Sequence, residues 1–317
     1  MKTPKKRKKA MPILNKTCET DGVRLDSFAA EAFDTTYSRS FYKKLIDDGK
    51  ITVNGKVITK AGTKLASGDI VEADIPDPEP DNSFVAQDIP LDIVYEDSDL
   101  LVINKPQGMV VHPAAGHSEG TLVNALLAHC KDDLSDINGV LRPGIVHRID
   151  KDTSGLMLAC KNNFTHLKLA DMLSRHEIVR EYRALVYGVV KEDKGMIDAP
   201  IGRSDNDRRK MAVIKDGKSA VTHFEVIERL GEISDIKLIL ETGRTHQIRV
   251  HMAYIGHPVV GDPVYASRRK NYGLNGQALH SRAITFVHPR TGETMHFETE
   301  LPDYYTAVLN RFKGLGC

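Results

Sequence analysis

The sequence predicts an α+β fold in two domains, and the larger domain is expected to contain a mixed, largely antiparallel sheet. Beyond residue 90, short strand-like runs outnumber helical patterns and do not alternate with them regularly. No G-x-G-x-x-G or Walker-type loop opens a helix, so we expect neither a Rossmann fold nor a nucleotide-phosphate cradle. An acidic, proline-rich stretch separates this region from a smaller one and predicts the domain boundary.

Charge is distributed unevenly along the chain of 317 residues, whose formal net charge is +1. The net charge is +5 over residues 1–75, −8 over 76–100 and +4 over 101–317. Since binding to a polyanion depends on where positive charge lies, the total does not exclude a nucleic-acid partner. The chain has no apolar run long enough to span a membrane and no signal-like start, so we expect a cytoplasmic protein without membrane contact.

The small N-terminal region has the pattern of two helices followed by a hairpin sheet. Apolar residues recur at helical spacing over 25–32 and again over 41–46. Asn54 and Gly55 lie between two short β-branched runs, which is the strongest short signal for a β-hairpin. A further strand is predicted over 69–73. Together these elements indicate a compact α/β module.

This module resembles the small RNA-binding domain named after ribosomal protein S-four. The resemblance rests on the ordered motifs RLD, SR…KKLIDDGKITVNGK and GD. In that family the second helix and the following hairpin face RNA. The resemblance therefore implies an RNA-facing surface made by the cations Arg39, Lys43, Lys44, Lys50 and Lys56. Without the resemblance, the same side chains would be interpreted as a solvated charged face.

Changes in composition predict four segments. The lysines near the start repel one another, so a free tail is expected there, although such an arm can also seek phosphates. In chain order, the segments are a basic flexible arm (1–16), the small RNA-binding module (17–76), an acidic proline-rich linker (77–89) and the large α+β domain (90–317).

The large domain is expected to contain more strands than helices. Strands are predicted at 100–103, 145–146, 156–159, 182–190, 221–228 and 236–241. Helices are predicted at 121–130, 164–175 and from a Thr245 N-cap to 255. The second of these helices is marked by the helical spacing of Phe164, Leu167, Ala170 and Leu173.

A polar loop between two strand-like runs contains the first candidate for chemistry, Asp150. This loop, in GIVHRIDKDTSGL, places the carboxylate between Arg148 and Lys151. Neighbouring cations favour the ionised carboxylate, which can then act as a nucleophile. The alternative is a structural turn in which Asp150 and Asp152 accept hydrogen bonds from the loop amides. Pattern alone favours the turn.

The second candidate is Arg249, in the segment ETGRTHQIRVHM. Ile248, Met252 and Ile255 share one face of the predicted helix, and Arg249 lies close to that buried face. A buried arginine requires a carboxylate partner. The alternative is an exposed, solvated Arg249.

Five ordered motifs resemble the RluA-type pseudouridine synthases. They are INKPQGMVVHP, GIVHRIDKDTSGLMLACKN, REYRALVYG, TGRTHQIRVHMAYIGHPVVGDPVY and LHS…FVHPRTGE, and they cover almost all of residues 90–302. With the RNA-binding module in front, the chain is similar to the group of ribosomal large subunit pseudouridine synthases C and D, and particularly to the D type. The resemblance implies the pseudouridine synthase fold and an isomerase that converts specific uridines to pseudouridine.

The resemblance also implies roles for individual residues. Asp150 matches the essential catalytic aspartate, and Arg249 matches the arginine that pairs with it. Tyr182 matches the tyrosine that packs against the target base and assists removal of the C5 proton. Arg148 is implied to touch RNA at the site.

The implied reaction breaks the N1–C1′ bond, rotates the uracil and rejoins it through C5. It has no redox step, so no cofactor and no metal are expected. The carboxylate can act on C1′ through a covalent bond or by helping to form a glycal intermediate, and the sequence leaves both open. The implied partner is large-subunit ribosomal RNA or a pre-ribosomal particle, with a small RNA as an alternative, and the protein is expected to be a monomer.

Two other functional classes remain as alternatives. A non-catalytic RNA-binding or ribosome-assembly protein would use the small module but would not require the HRIDKDTSG and HQIRVHM motifs. A glycoside hydrolase also uses carboxylates near an anomeric carbon, but it needs a second placed carboxylate and usually aromatic sugar platforms. The absence of tryptophan and the aromatic content of 6% argue against that class.

Overall fold

The computed structural model describes residues 14–33, 39–75, 85–113, 119–131, 133–135, 143–204, 207 and 210–314. The chain divides into two compact units, Met1–Ser83 with Ser135–Pro143, and Phe84–Leu134 with Gly144–Cys317. Most of the predicted arm and most of the predicted linker lie outside the described residues and stay predictions. In the described part of the chain, no helix is both long and apolar enough to cross a membrane.

The small unit contains a four-stranded antiparallel sheet and two helices. Its elements are β1 (Leu14–Thr17), α1 (Leu25–Ala32), α2 (Arg39–Asp47), β2 (Ile51–Val53), β3 (Lys56–Val57) and β4 (Ile70–Ala73), with strand order β1-β4-β2-β3. The helices and the hairpin lie where the sequence places them. Strand β1 begins at Leu14, inside the segment predicted as a free arm. All four residues of β1 are exposed, so no apolar alternation marks it in the sequence.

A buried carboxylate ties the two helices of the small unit together. Asp26, in the first turn of α1, is 4% exposed. It accepts hydrogen bonds from Arg24 at 3.0 and 3.1 Å and from Arg39 at 2.9 and 3.1 Å. Both arginines stay about half exposed. A carboxylate at a helix N-terminus also interacts favourably with the helix dipole.

The large unit is built on a nine-stranded sheet. Its elements are β5 (Ile93–Glu96), β6 (Leu100–Lys105), α3 (Leu122–Cys130), β7 (Ser154–Cys160), α4 (Asn163–Ser174), β8 (Val179–Tyr187), β9 (Lys194–Asp198), β10 (Ile201–Arg203), β11 (Met211–Val213), β12 (Val221–Arg229), β13 (Ile233–Leu240), α5 (Gln247–Tyr254), β14 (Leu279–Val287), β15 (Thr294–Glu298) and α6 (Asp303–Phe312). The strand order is β5-β6-β7-β14-β8-β13-β12-β9, with β15 beside β14, and β10 and β11 form a separate pair.

The sheet of the large unit is mixed but largely antiparallel, as the sequence predicts. Its named strand pairs are antiparallel except for β7 with β14. At that parallel pair, Gly155 has φ +109°, and a Cβ there would lie 2.2 Å from the carbonyl oxygen of Ser281. Only glycine permits this close approach. It fixes β7 at the end of the loop that contains Asp150.

Two predicted elements of the large unit differ from the structure. Residues 145–146 form no strand; Ile145 makes an isolated bridge to Ala159, and the amide of Leu158 donates to Nε2 of His147 at 2.9 Å. A side chain thus takes the place of a ladder bond. The strand predicted at 182–190 is shifted, since β8 runs from Val179 to Tyr187.

The helix predicted at 164–175 is present as α4, but two of the residues whose spacing predicted it are exposed. Phe164 and Leu167 are exposed, whereas Thr165, His166, Leu169 and Met172 are buried. The side chain of Asn162 caps the helix by accepting from the amide of Thr165. Because the buried face mixes polar and apolar residues, apolar spacing alone does not identify it.

Candidate active site

Asp150 is the first residue of a tight turn. A hydrogen bond between backbone atoms closes this turn, and the Asp150 carboxylate takes no part in it. The amide of Thr153 donates to the carbonyl oxygen of Asp150 at 3.1 Å. The side chain is 22% exposed, and Nη1 of Arg249 donates to its Oδ2 at 2.9 Å. Within the described residues, the hydrogen bond to this carboxylate comes from the guanidinium and not from loop amides. The structural-turn alternative therefore accounts for the backbone but not for the side chain.

Arg249 is a buried cation placed between two carboxylates. It lies on α5 and is 4% exposed. Besides its bond to Asp150, it donates from Nε and Nη2 to Asp262 at 2.7 and 3.0 Å. Burial lowers the pKa of Arg249, but hydrogen bonds and charge from Asp262 and then Asp150 outweigh it, and the pKa is raised overall. The guanidinium therefore stays charged.

Asp262 fixes the guanidinium from the buried side. Its side chain is 0% exposed, and its Oδ1 also accepts the amides of Val264 and Tyr265 at 2.8 and 3.0 Å. Both ends of the bidentate pair are therefore fixed, which gives a planar guanidinium a single orientation. The remaining nitrogen, Nη1, points at Asp150.

The start of α5 is organised by Gln247 and not by the predicted Thr245 cap. The N-cap is His246, which has φ 58° and ψ 20°, in the left-handed region. The side-chain oxygen of Gln247 accepts the amide of Arg244 at 2.9 Å and the hydroxyl of Thr242 at 2.7 Å. Non-glycine residues in this backbone region cost about 1–3 kcal/mol, and such strain clusters at functional sites.

His246 and Tyr265 complete the surroundings of Asp150. Nε2 of His246 lies 3.9 Å from Oδ1 of Asp150, and its Nδ1 lies 3.0 Å from the hydroxyl of Tyr265. The ring of Tyr265 covers the guanidinium of Arg249, with 5.2 Å from Cζ to the ring centroid. A cation over an aromatic face gains electrostatic attraction. One carboxylate, one buried cation and one histidine thus meet at an accessible point.

Comparisons with known proteins place the chain in a family. The family described as RNA pseudouridylate synthase matches residues 99–254, and the S4 domain family matches residues 36–71. A Bacillus subtilis protein described as an uncharacterized RNA pseudouridine synthase is 50% identical over 94% of this chain and 97% of its own length. The chain belongs to the RNA pseudouridine synthase family. It is an isomerase with an N-terminal S4 domain.

Further relatives agree with this assignment. The ribosomal large subunit pseudouridine synthase D of Zymomonas mobilis is 48% identical over 90% of this chain and 92% of its own. Among solved structures, human RNA Pseudouridylate Synthase Domain Containing 1 superposes with a TM-score of 0.56 at 26% identity, covering 74% of this chain and 90% of that one. The pseudouridine synthase fold predicted from the motifs is therefore confirmed.

Tyr182 lies inside this pseudouridine synthase near Asp150. It is 5% exposed on β8, opposite Ser281 of β14 in the sheet register. Burial raises the pKa of its hydroxyl, and the negative charge of Asp150 adds to the rise. The phenol is therefore neutral at physiological pH.

Lys105, from the INKP motif, supports the loop that contains Asp150. Its fully buried ammonium donates to the carbonyl oxygens of Pro106, Met109 and Lys151 at 2.7, 2.9 and 3.0 Å. Burial lowers the pKa of Lys105 to about 7, and the nearby carboxylates of Asp152 and then Asp150 oppose this. The three carbonyl acceptors also favour the charged form. This cation therefore joins β6 to the loop between Asp150 and β7.

The predicted RNA-contacting cations are all exposed. Arg148 is exposed two residues before Asp150. The other five lie on α2, the β2–β3 hairpin and the residue before it: Arg39, Lys43, Lys44, Lys50 and Lys56. Arg39 is bound to Asp26, and Lys50 forms an exposed pair with Asp74 at 3.2 Å. Lys43, Lys44 and Lys56 extend into solvent from the S4 domain.

Sequence reasoning missed three residues of the site: Asp262, His246 and Tyr265. The requirement of a buried arginine for a carboxylate predicts a partner, and Arg249 has two. Asp262 lies in the motif GDPVY, 13 residues after Arg249. The acidic residue of that motif was the sequence feature that could have indicated a second partner for Arg249. His246 lies five residues before His251, a spacing that does not suit a helical metal-binding pair, and His251 is buried elsewhere against Thr222 and Ala199.

One group of potential metal ligands occurs in the described part of the chain: Asp97, Asp99 and His288. Each already has a partner. His288 pairs with Asp97 at 2.9 Å, and Arg290 binds Asp99 through two nitrogens. Arg290 and its hydrogen bond to Asp99 hold the pKa of that carboxyl well below its usual range. These charges are balanced within the protein, so we assign no metal to the group.

The arrangement around Asp150 does not suit glycoside hydrolysis. That chemistry requires two carboxylates facing the sugar, separated according to the stereochemical outcome. The second carboxylate here, Asp262, is fully buried and bound to Arg249 and two amides. Of the two carboxylates that bind Arg249, only Asp150 is accessible, and its fixed counter-ion fits the isomerase activity of the family.

Proposed function

We propose that this synthase isomerises specific uridines of large-subunit ribosomal RNA, with Asp150 acting on C1′ of a uridine that has left its stack. The observation that carries the proposal is the pair of Asp150, 22% exposed, and Arg249, 4% exposed, at 2.9 Å. The relatives named ribosomal large subunit pseudouridine synthase D support the choice of RNA.

The proposed role of Arg249 is to hold the Asp150 carboxylate ionised and aimed. Because Asp262 orients the guanidinium before substrate arrives, the site pays no reorganisation energy during the reaction. The carboxylate then acts on C1′ while the N1–C1′ bond breaks and the electron pair stays with the uracil. Rotation of the base brings C5 to C1′, and loss of the C5 proton together with protonation of N1 completes the isomerisation.

The proposed role of Tyr182 is to pack against the target base and to assist removal of the C5 proton. Extraction of a base from its stack costs roughly a few kcal/mol. Stacking on an aromatic side chain returns roughly 1–3 kcal/mol per base. A neutral phenol suits the packing part of this role, because it adds no second negative charge beside the carboxylate.

RNA contact is proposed for Arg148 at the site and for the S4 cations Arg39, Lys43, Lys44, Lys50 and Lys56. A basic arm over 1–16, an S4 module over 17–76, an acidic linker over 77–89 and a catalytic domain over 90–317 remain the proposed segments. We further propose that the enzyme acts as a cytoplasmic monomer, on ribosomal RNA or on a pre-ribosomal particle.

Mapping pseudouridines across total RNA from cells with and without this gene tests the choice of substrate. The proposal expects one or more pseudouridines of large-subunit ribosomal RNA to disappear with the gene and to return on complementation. Loss of pseudouridines from transfer or other small RNAs alone would contradict it.

A further inference from the structure

His246 presents an unused hydrogen-bond donor position at the reactive end of Asp150. Nε2 lies 3.9 Å from Oδ1, beyond hydrogen-bond distance, whereas Oδ2 is held by Arg249 at 2.9 Å. Among the described residues Nε2 has no hydrogen-bond partner, and the side chain is 21% exposed. Nε2 of His246 and Oδ1 of Asp150 are therefore both available to a bound substrate.

Tyr265 fixes which nitrogen of His246 bears the proton. The Tyr265 hydroxyl accepts the amide of Met211 at 3.1 Å, so its own proton is free to be donated. The acceptor within reach is Nδ1 of His246 at 3.0 Å. Burial raises the pKa of Tyr265, which keeps the phenol protonated, and burial lowers the pKa of His246, which keeps the ring neutral. An Nδ1 that accepts leaves the proton on Nε2.

The backbone of His246 also indicates a side chain selected for function. Its left-handed conformation, with φ 58°, favours glycine or asparagine over other residues. A histidine at this N-cap accepts that strain, and its side chain makes no capping hydrogen bond. What the histidine gains is the placement of Nε2 beside Asp150.

We propose that His246 donates a hydrogen bond from Nε2–H to the O2 carbonyl of the target uracil as the N1–C1′ bond breaks. This inference rests on the proposed function, because it places a uridine C1′ at Asp150. O2 is bonded to the carbon next to N1, so it lies within reach of a donor 3.9 Å from the carboxylate oxygen that faces C1′.

The electron balance of the step explains why a donor is useful there. When the N1–C1′ bond breaks, its electron pair stays with the uracil and is shared between N1 and O2. His246 keeps its proton throughout; the hydrogen bond strengthens as negative charge develops on O2. A preorganised donor of this kind stabilises the transition state more than the ground state.

The test uses full-length protein and RNA from cells that lack this gene, labelled with tritium at C5 of uridine. We compare single-turnover tritium release and RNA affinity for His246→Ala, His246→Gln and His246→Asn. Glutamine places an amide near the Nε2 position, whereas asparagine places it near Nδ1 and suits the left-handed backbone. His296→Ala, at an exposed histidine of β15, is the control.

We expect His246→Ala to slow release about 100-fold, with RNA affinity within about threefold of wild type. His246→Gln should release tritium at least about tenfold faster than His246→Ala, and His246→Asn should release it at about the same rate as His246→Ala. Tyr265→Phe, which removes the proton donated to Nδ1, should slow release by less than His246→Ala.

A merely structural role predicts the opposite order, because asparagine relieves backbone strain. Full activity of His246→Asn, or an unchanged rate in His246→Ala, overturns the inference. The proposed substrate is judged separately by the wild-type protein: release from small RNAs alone contradicts the choice of ribosomal RNA but still allows the three variants to be ranked.

Discussion

The two units of the protein contain ion clusters of opposite construction. In the small unit a buried carboxylate, Asp26, binds two arginines that are each about half exposed. In the catalytic unit a buried guanidinium, Arg249, binds two carboxylates, of which Asp262 is fully buried and Asp150 is 22% exposed. The buried charge fixes the cluster in both cases, and the exposed charge is what each cluster presents to a partner.

This difference indicates what each surface can recognise. The small unit exposes the guanidinium groups of this cluster together with Lys43 and Lys44 of α2, and these cations suit a phosphate backbone. The catalytic cluster presents an oriented carboxylate, which suits a carbon that becomes electron-poor when its bond breaks. The buried and the exposed members of each cluster can therefore be perturbed separately.

Removal of the buried cation should cause the largest loss of stability. Arg249→Met leaves Asp262 buried without its counter-ion, so we expect the free energy of unfolding to fall by about 3–5 kcal/mol. Tritium release from C5-labelled RNA should fall with it. Urea unfolding of the full chain measures the effect. The matched control, Arg175→Met, breaks an exposed pair with Asp171 and should change the free energy of unfolding by less than about 1 kcal/mol. Equal effects for both variants would show that burial of Arg249 between its carboxylates adds no stability.

Removal of the buried carboxylate of the small unit should have a smaller effect. Asp26→Asn releases two arginines that can return to water, so we expect a loss of about 2 kcal/mol from hydrogen bonds to a charged group. Hydrogen exchange of the α1 and α2 amides reports this loss locally. Asp47→Asn, at an exposed position of α2, is the control and should leave exchange unchanged. A loss as large as that of Arg249→Met would remove the contrast between the clusters.

The stabilisation by Asp26 should depend on pH in the acid range. The hydrogen bond from Arg24, with further help from Arg39, lowers the pKa of Asp26 below 3.8 despite burial. A lowered carboxylate pKa contributes stability that is complete above the unfolded-state value and is lost as pH falls through the folded-state value. The stability difference between wild type and Asp26→Asn should therefore shrink between about pH 5 and pH 2. A constant difference across that range would contradict the lowered pKa.

The exposed cations of α2 should differ in their effect on RNA affinity. Arg39 is already bound to Asp26, whereas Lys43 and Lys44 extend into solvent. Each phosphate contact contributes about 0.7–0.9 to the slope of log affinity against log salt concentration. The double variant Lys43→Ala/Lys44→Ala should therefore reduce that slope by more than Arg39→Ala does. Filter binding at several salt concentrations measures the two slopes. A larger reduction in Arg39→Ala than in the double variant would place the phosphate contact at Arg39.

Much of this architecture follows from local patterns, and the exceptions have physical causes. The helices and hairpin of the S4 domain show clear periodicity, and burial of Arg249 by its apolar neighbours predicts a carboxylate partner. Strand β1 has four exposed residues, and the buried face of α4 includes Thr165 and His166, so apolar periodicity finds neither the strand nor that face. Asp262 and Tyr265 reach the site through tertiary packing, which no local pattern records.

The left-handed backbone of His246 was equally inaccessible to sequence reasoning. A threonine before the helix is a good N-cap candidate, and Thr245 was the natural choice. The structure instead uses the side chain of Gln247 to bind the preceding loop, through the amide of Arg244 and the hydroxyl of Thr242. His246 is then free to turn towards Asp150.

The division of labour between the two carboxylates on Arg249 is tested most directly by making the same change at each. Asp150→Asn and Asp262→Asn are compared for C5 tritium release, RNA affinity and urea unfolding, with Asp171→Asn as a surface control. We expect Asp150→Asn to reduce release by at least roughly 10⁴-fold, while RNA affinity and the free energy of unfolding stay close to wild type. Asp262→Asn should reduce tritium release and should also lower the free energy of unfolding. Release at the wild-type rate by Asp150→Asn would contradict the account.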